Sequence, residues 1–318
     1  MTGRCPLPVA IGLILILPGL ADSSPESPPR ESRYLGEKPP GLTPQVFAPE
    51  LLSKTKPEWA YCAVIAPGYD ALFHTAYDVE REIDRILWMR RIGGEWVGPE
   101  PAPFDDGVHS SNDPRVSPDG STFFFRSQRP LPGNAAPEPH LFTWYVTKNA
   151  DGWSEPLPLL LGGASRRISH LGVASNGTLY FSLRSEGNVG EADLHRSLLV
   201  NGSYGDPENL GPEVNTRFSE GDTFVAPDES LLVVTVWDRP DNNGESDLYL
   251  SRRRSDGSWT ELRNLGGPIN TSGNENCAAI SPDGRFFYYV TVVDEQPPSI
   301  ATYWVDAGVL ELQEMLED

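Results

Sequence analysis

The sequence has little positive charge: 25 Lys and Arg residues stand against 45 Asp and Glu residues, which gives a formal net charge of −20. A protein that neutralises nucleic-acid phosphates needs a basic surface, and one that binds anionic lipid needs clustered Lys and Arg. The composition therefore argues against nucleic acid and against acidic membrane surfaces as partners.

Long apolar segments are also lacking. The longest one, from Pro8 to Leu20, follows Arg4 and ends in small residues, and it is shorter than the roughly 20 residues that span a bilayer. This order is typical of a secretory signal peptide. We therefore predict a leader over residues 1–21, a disordered polar spacer over 22–33, and an exported chain, periplasmic or extracellular, that does not span a membrane after cleavage.

Motifs for common catalytic chemistries are missing as well. The sequence contains no Gly-x-Ser-x-Gly elbow, phosphate-binding loop or His-Glu-x-x-His motif, and none of its five histidines accompanies a serine nucleophile motif. We therefore expect a non-catalytic protein rather than an enzyme.

Glycine and proline, by contrast, are frequent and recur in a turn signal. A Pro-Asp-Gly sequence, or a close variant of it, recurs at spacings of 51, 57, 52 and 55 residues. The five occurrences are centred on Pro67, Pro118, Ser175, Pro227 and Pro282. A short segment rich in aromatic and β-branched residues follows each turn, which is typical of a β-strand.

A second signal, glycine with an aromatic residue close behind it, lags the turn by 29 to 35 residues. It occurs at Trp96, Trp153, Tyr204 and Trp259. Together the two signals predict four antiparallel strands per repeat, which is the signature of a β-propeller blade. We predict an all-β propeller of five four-stranded blades, because the alternative of six would need a further blade in the short segment between Gly41 and Tyr61.

The fifth repeat lacks its outermost strand, since only a helix-like segment, 308–318, follows it. Residues 31–41 share a Glu-x-Arg-x-Leu-Gly pattern with residues 261–270, which lie at the end of an earlier repeat. We therefore expect the N-terminal segment to supply the outer strand of the last blade, because closure removes exposed sheet edges. The predicted propeller domain covers residues 34–307, and we predict a monomer.

The repeat resembles a known family. Ser-Pro-Asp-Gly before an aromatic strand, then Ser-Asp-Leu-Tyr at 246–249, then Asp-Gly-Ser-Trp-Thr-Glu at 256–261 with Asn-Leu-Gly, is similar to the TolB-like, WD-type β-propeller repeat of exported bacterial proteins. The resemblance covers residues 31–307. It implies a scaffold of the cell envelope that binds a protein or small ligand, without a named reaction.

The strands that run into the turns are expected to line the central channel. Five residues before each turn centre stand Cys62, Asp113, His170, Asp222 and Cys277. Seven residues before it stand Ala60, Ser111, Ile168, Glu220 and Glu275. Strand alternation puts both rows on one side of their strands. We therefore predict a ligand-binding cluster at the channel mouth formed by Asp113, His170, Asp222, Glu220 and Glu275.

The chemistry of this cluster stays open between several alternatives. Carboxylates with histidine and thiols bind divalent metals, and acidic inner strands favour a cationic or metal-bearing ligand. Paired carboxylates also serve sugar hydrolysis, so a five-bladed carbohydrate-active hydrolase is the alternative function. The plain alternative is that each side chain satisfies nearby backbone groups. We expect no resident cofactor, with a divalent metal left open.

Cys62 and Cys277 hold the same position in the first and last blades, which ring closure makes neighbours. An oxidising compartment permits a disulfide between them. The bond requires Cα atoms within about 4.4 to 6.8 Å, and equivalent residues on adjacent inner strands can lie farther apart, so the pairing stays open.

Overall fold

The computed structural model describes residues 33–55, 59–134, 136–293 and 299–311. The predicted leader, the predicted spacer up to residue 32, and residues 312–318 of the predicted C-terminal helix lie outside these ranges. Among the described residues, the chain begins with β1 (Gln45–Val46), α1 (Pro49–Leu52) and β2 (Ser53–Thr55). No described helix has the length and apolar character needed to cross a bilayer.

The remaining strands build antiparallel blades in chain order. Blade 1 consists of β3 (Ala60–Ile65), β4 (Ala71–Asp78), β5 (Ile83–Ile92) and β6 (Glu95–Pro101). Blade 2 consists of β7 (Ser111–Val116), β8 (Thr122–Ser127) and β9 (Phe142–Asn149), with β10 (Gly152–Trp153) and β11 (Leu157–Pro158) along its outer edge. Blade 3 consists of β12 (Gly172–Val173), β13 (Leu179–Leu183), β14 (Asp193–Ser197) and β17 (Glu208–Asn209), with a hairpin of β15 (Leu199–Val200) and β16 (Ser203–Tyr204).

Blades 4 and 5 complete the propeller. Blade 4 consists of β18 (Ser219–Val225), β19 (Leu231–Trp237), β20 (Ser246–Arg252) and β21 (Arg263–Asn264). Blade 5 consists of β22 (Asn274–Ile280), β23 (Phe286–Val293) and β24 (Ser299–Asp306), and the N-terminal strands β1 and β2 pair with its outer edge. The inner strands β3, β7, β12, β18 and β22 contact one another in cyclic order. The predicted five-bladed, all-β propeller is therefore confirmed.

The same turn joins the first and second strands of every blade. The amide of one turn residue donates to the carbonyl three residues earlier at 2.8 or 2.9 Å in all five blades. The donors are Tyr69, Gly120, Gly177, Glu229 and Gly284. Each donor has a positive φ, a backbone conformation that glycine adopts without a steric penalty. The repeated Pro-Asp-Gly signal therefore marks the innermost hairpin of each blade.

The N-terminal segment closes the ring, but with other residues than predicted. Gln45 and Val46 pair with β24, as do residues 53–55, whereas the described part of the predicted segment, residues 33–41, forms no strand. Pro39 and Pro40 remove two backbone donors from that segment, which disfavours a ladder. Tyr34 is instead buried within contact of the aromatic rings of blade 5, and its hydroxyl donates to the carboxylate of Asp283 at 2.8 Å.

Aromatic side chains fill the gaps between neighbouring blades. Trp153 of blade 2 packs edge-on against Phe73 of blade 1, with ring centroids 6.4 Å apart. Trp259 of blade 4 packs in the same way against Tyr180 of blade 3, with centroids 6.0 Å apart. Such pairs add about 0.5 to 1.5 kcal/mol beyond the area they bury. At these two positions the glycine-aromatic signal therefore serves blade packing.

Four of the five inner strands contain a β-bulge. The register shifts lie between Tyr61 and Val64, Asn112 and Arg115, Glu220 and Thr223, and Asn276 and Ala279. A bulge inserts one unpaired residue and re-aims the side chains around it. In these four strands the bulge contains the residue five positions before the turn centre but not the one seven positions before it. The strict alternation that put both rows on one side therefore does not apply.

Candidate functional site

One side chain from each blade converges on the channel axis. We call this set the central ring; its members are Cys62, Asp113, His170, Asp222 and Cys277. Three of the five, Cys62, Asp113 and Cys277, are bulge residues with φ between +51° and +62°. Such backbone conformations are uncommon outside glycine and cluster at functional sites. The bulges thus turn the predicted row of side chains inward.

His170 lies between two carboxylates of the ring. Its Nε2 atom pairs with Asp113 of blade 2, and its Nδ1 atom pairs with Asp222 of blade 4. Burial alone lowers the pKa of a histidine, but the two carboxylates outweigh it and raise the pKa of His170 to about 9. The imidazole is therefore positively charged at neutral pH, with a proton on each nitrogen.

Asp113 is held ionised by its neighbours. Burial raises the pKa of its carboxyl, but His170 and Arg126 overcome that effect and lower the pKa to about 2. The Nη1 atom of Arg126 donates to Asp113 Oδ2 at 2.9 Å, and the backbone amide of Asp113 donates to the Thr75 hydroxyl at 3.2 Å. A carboxylate engaged in this way is not free to act as a general acid near neutral pH.

Cys62 and Cys277 form a disulfide between the first and last blades, with Cα atoms 5.2 Å apart. That separation lies within the range a disulfide needs. The Sγ atom of Cys62 is also 3.8 Å from His170 Nε2, and the ligand atoms of both cysteines and His170 lie within 4.8 Å of one another. The thiolate is the form of cysteine that binds metal, so these sulfurs do not serve as metal ligands while bonded to each other.

Glu220 and Glu275 do not join the central ring. Glu220 accepts hydrogen bonds from the amide and hydroxyl of Thr216, and Glu275 accepts them from Thr271 in the same way. Both carboxyls are fully buried. Burial raises the pKa of Glu220 to about 7 and shifts that of Glu275 in the same direction, although the threonine hydrogen bonds oppose the shift. These two carboxylates accept hydrogen bonds from nearby groups of their own chain segments, as in the alternative that each side chain satisfies nearby backbone groups.

A cavity opens beside the ring, where the inner strands begin, between blades 2 and 3. Its volume is about 590 Å³. We call it the arginine mouth, because four arginines line it together with serines: Arg126, Arg166, Arg167 and Arg184. Arg166 pairs with Asp206 at 3.2 Å, and Arg184 pairs with Glu191 at 3.0 Å. Both of these pairs are solvent-exposed and therefore weak, which leaves the cations available to a ligand.

The predicted ligand-binding cluster does not include these arginines, because they lie outside the two inner-strand rows. The acidic composition indicated a cationic ligand, but the carboxylates of the ring are paired with cations. A usable signal was present in the adjacent arginines at 166 and 167, which stand just before His170 in a chain with few basic residues. Arg126 and Arg184 lie on second strands, in β8 and just after β13, so only the assembled blades bring them to the mouth.

Comparisons with known proteins bear on the fold. No family model matches the chain, and no curated protein matches it. Among solved structures, the chain is similar to one described as a glycoside hydrolase, with 10% identity and a TM-score of 0.52 over 86% of this chain and 94% of that one. This likeness at low identity shows the propeller fold alone.

Two peptidase structures also match. A prolyl endopeptidase shares 14% identity at a TM-score of 0.41, over 76% of this chain and 32% of that one. A puromycin-hydrolyzing peptidase of Mycobacterium tuberculosis shares 13% identity at a TM-score of 0.42, over 74% and 34%. The chain therefore spans about a third of the length of each peptidase.

Proposed function

We propose that this protein is an exported, monomeric, non-catalytic β-propeller that binds an anionic group of a cell-envelope protein or small ligand at the arginine mouth. The similarity of its repeats to the TolB-like family supports the envelope setting. The single observation that carries the proposal is the grouping of Arg126, Arg166, Arg167 and Arg184 around one cavity of about 590 Å³ in a chain whose net charge is −20.

The state of the ring carboxylates supports binding rather than catalysis. A glycosidase needs two carboxyl groups that face the substrate from opposite sides, one of them protonated. Here Asp113 and Asp222 both pair with His170, and Asp113 also binds Arg126. Neither group is available to a sugar without breaking a buried ion pair.

The arginines suit an anionic ligand for a geometric reason. A guanidinium presents donors in a planar fork that matches carboxylate and phosphate oxygens. Arg167 is exposed, and Arg184 pairs with the exposed Glu191. Arg166 pairs with the exposed Asp206, and its Nε atom also donates to the carbonyl of Leu161 at 3.2 Å. A ligand with several acidic groups can therefore replace weak side-chain pairs with bidentate ones.

Calorimetric titration of the full chain with citrate and with pyrophosphate tests this proposal. We expect saturable binding of both anions that weakens as salt is raised, and no binding of the cation spermidine. The double variant Arg166→Gln/Arg184→Gln should weaken binding at least tenfold. Arg285→Gln is the matched control, because Arg285 is exposed in the turn of blade 5 at the other end of the channel, and it should change the affinity less than twofold.

Three results would overturn the proposal. The first is the absence of saturable anion binding, and the second is an equal loss of affinity in the Arg285→Gln control. The third is release of reducing sugar from an envelope polysaccharide that Asp222→Asn abolishes, which would instead support the alternative of a carbohydrate-active hydrolase.

A further inference from the structure

A second cavity opens at the opposite end of the channel, where the inner strands run into the turns. Its volume is about 200 Å³, and all five blades contribute to its wall. The wall is mainly aliphatic, and the prolines of four turns surround it; the aliphatic members include Ile65, Val116, Val173 and Ile280. We call this cavity the aliphatic mouth.

Among the residues that the structure describes, Arg115 is the only charged one that lines the aliphatic mouth. It lies in β7, two residues after Asp113 of the central ring, and is 7% exposed. Its Nε atom donates to the carbonyl of Leu171 and its Nη1 atom to the carbonyl of Pro114, both at 3.3 Å. Its Nη2 atom is buried and has no hydrogen-bond partner within the described part of the chain.

An unsatisfied donor on a buried cation is costly, because the group has left water without replacing its hydrogen bonds. Burial accordingly lowers the pKa of Arg115, and the nearby carboxylates of Asp222 and Asp113 oppose this effect. The guanidinium therefore still lacks one acceptor in a place where an apolar wall can supply none.

The carboxylates near Arg115 are engaged by other cations. Asp113 pairs with Arg126 and His170, and Asp222 pairs with His170. A carboxylate that enters the aliphatic mouth beside Arg115 would therefore give this guanidinium a negative partner of its own.

We propose that the aliphatic mouth binds a small monocarboxylate, whose carboxylate accepts from Arg115 and whose short hydrocarbon body lies against the aliphatic wall. The size of the ligand follows from the volume, since pockets for drug-sized molecules measure about 300 to 1,000 Å³ and this one is smaller. A chain of about six carbons or one aromatic ring fits that description. This site is separate from the arginine mouth, which has no aliphatic lining from all five blades and takes multivalent anions.

The test titrates the full chain with hexanoate and with benzoate, and compares them with hexanol and hexylamine. We expect both carboxylates to bind at least tenfold more tightly than the alcohol, and we expect the amine not to bind. Of these ligands, only a carboxylate brings a negatively charged hydrogen-bond acceptor to Arg115. Arg115→Gln should lose at least tenfold in hexanoate affinity. Arg115→Lys should lose less, since it keeps the charge but not the planar fork.

Substitution of Arg115 removes a buried cation and can destabilise the fold, so a second variant leaves both Arg115 and the central ring unchanged. Val173→Phe fills the aliphatic mouth and should abolish hexanoate binding. Its matched control is Val200→Phe, since Val200 is 58% exposed in the β15–β16 hairpin, and this control should bind hexanoate normally. On the unsubstituted protein, nuclear Overhauser contacts between hexanoate and the methyl groups of Val116, Val173 and Ile280 give a readout that needs no variant.

Several outcomes would overturn the proposal: hexanol binding as tightly as hexanoate, full binding to Val173→Phe, or no contacts to the three aliphatic residues. Loss of hexanoate binding in Arg166→Gln/Arg184→Gln with retention in Val173→Phe would assign it to the arginine mouth and would also overturn the proposal. Citrate binding that fails while hexanoate binding persists would overturn only the proposed function above.

Discussion

The central ring and the pair Glu220 and Glu275 differ although their positions in the repeat are only two residues apart. The ring side chains reach the axis and meet partners from other blades, such as His170 of blade 3 with Asp222 of blade 4. The two glutamates instead bind threonines four residues earlier in their own chain segments. In blades 4 and 5 the bulge separates the two rows, because Asp222 and Cys277 lie within it and the glutamates lie before it.

The largest effect within this comparison should come from the disulfide of the ring. Cys62 and Cys277 are separated by 215 residues, and the chain-entropy model gives about 5 kcal/mol for closing a loop of that length. We expect Cys62→Ser to lower the free energy of unfolding by an amount approaching this value, measured by urea denaturation without reductant.

Cys277→Ser and the double variant serve as internal controls, because each removes the same bond. All three variants should unfold at similar urea concentrations. Equal stability of the wild type with and without reductant would contradict the prediction.

The next largest effect should come from His170→Ala, which leaves Asp113 and Asp222 buried without the cation between them. Removing one partner of a buried ion pair costs about 3 to 5 kcal/mol, and guanidinium unfolding measures the loss. His109→Ala is the control, since His109 pairs with Asp106 at 3.0 Å near the surface and such pairs contribute at most about 1 kcal/mol. Similar losses of unfolding free energy in both variants would show that the buried ion pairs of the ring stabilise the fold no more than a surface pair does.

A smaller effect on stability should come from the titration of His170 and Asp113 as pH changes. The pKa of His170 is raised from 6.5 to about 9, so its protonation stabilises the folded state fully below pH 6.5, and this contribution is lost as pH rises through 9. The pKa of Asp113 is lowered to about 2, so its contribution is present above pH 3.8 and is lost as pH falls through 2. Urea midpoints measured across this range should therefore decline at both ends.

His170→Gln isolates the alkaline part of this dependence. The variant should be less stable overall but should lack the decline between pH 6.5 and 9 that the wild type shows. A wild-type profile that stays flat over this window would refute the assignment of the decline to His170.

The smallest effect should come from Glu220→Gln, outside the ring. The pKa of Glu220 is raised to about 7 by burial, so ionisation of this residue disfavours the folded state increasingly from pH 4.5 to 7. Glutamine resembles the neutral form, and at pH 5 we expect a change in unfolding free energy of less than about 1 kcal/mol. Above pH 7 the variant should be the more stable protein by thermal melting, and a large loss at any pH would place Glu220 in the same class as the ring.

Much of the fold was predictable from the sequence because its determinants are local. A turn such as residues 117–120 depends on proline, a short polar residue and glycine within four positions, and the same chemistry recurs in each blade. The ring residues could be found by aligning the repeats on these turns. The N-terminal closing strand was expected in the wrong residues, since pattern similarity at 31–41 outweighed the two prolines within it.

The two glutamates carried a signal that could have assigned them correctly. The sequence Asn-Leu-Gly-x-x-x-Asn-Thr-x-x-x-Glu occurs at 209–220 and again at 264–275, and its threonine is the hydrogen-bond partner of its glutamate in both copies. The arginines of the two mouths carried no such repeat. Arg115 and Arg126 acquire their roles only from the neighbours that the assembled blades supply.

The ring is closed by contacts at two different distances from the channel axis. The disulfide joins the first and last blades at the axis, and β1 and β2 join the chain start to the outer edge of blade 5. A protease that cut any single loop between residues 62 and 277 would therefore leave two fragments that remain covalently linked until a reductant is added. Such a nicked propeller should migrate as one species on a non-reducing gel and as two on a reducing gel.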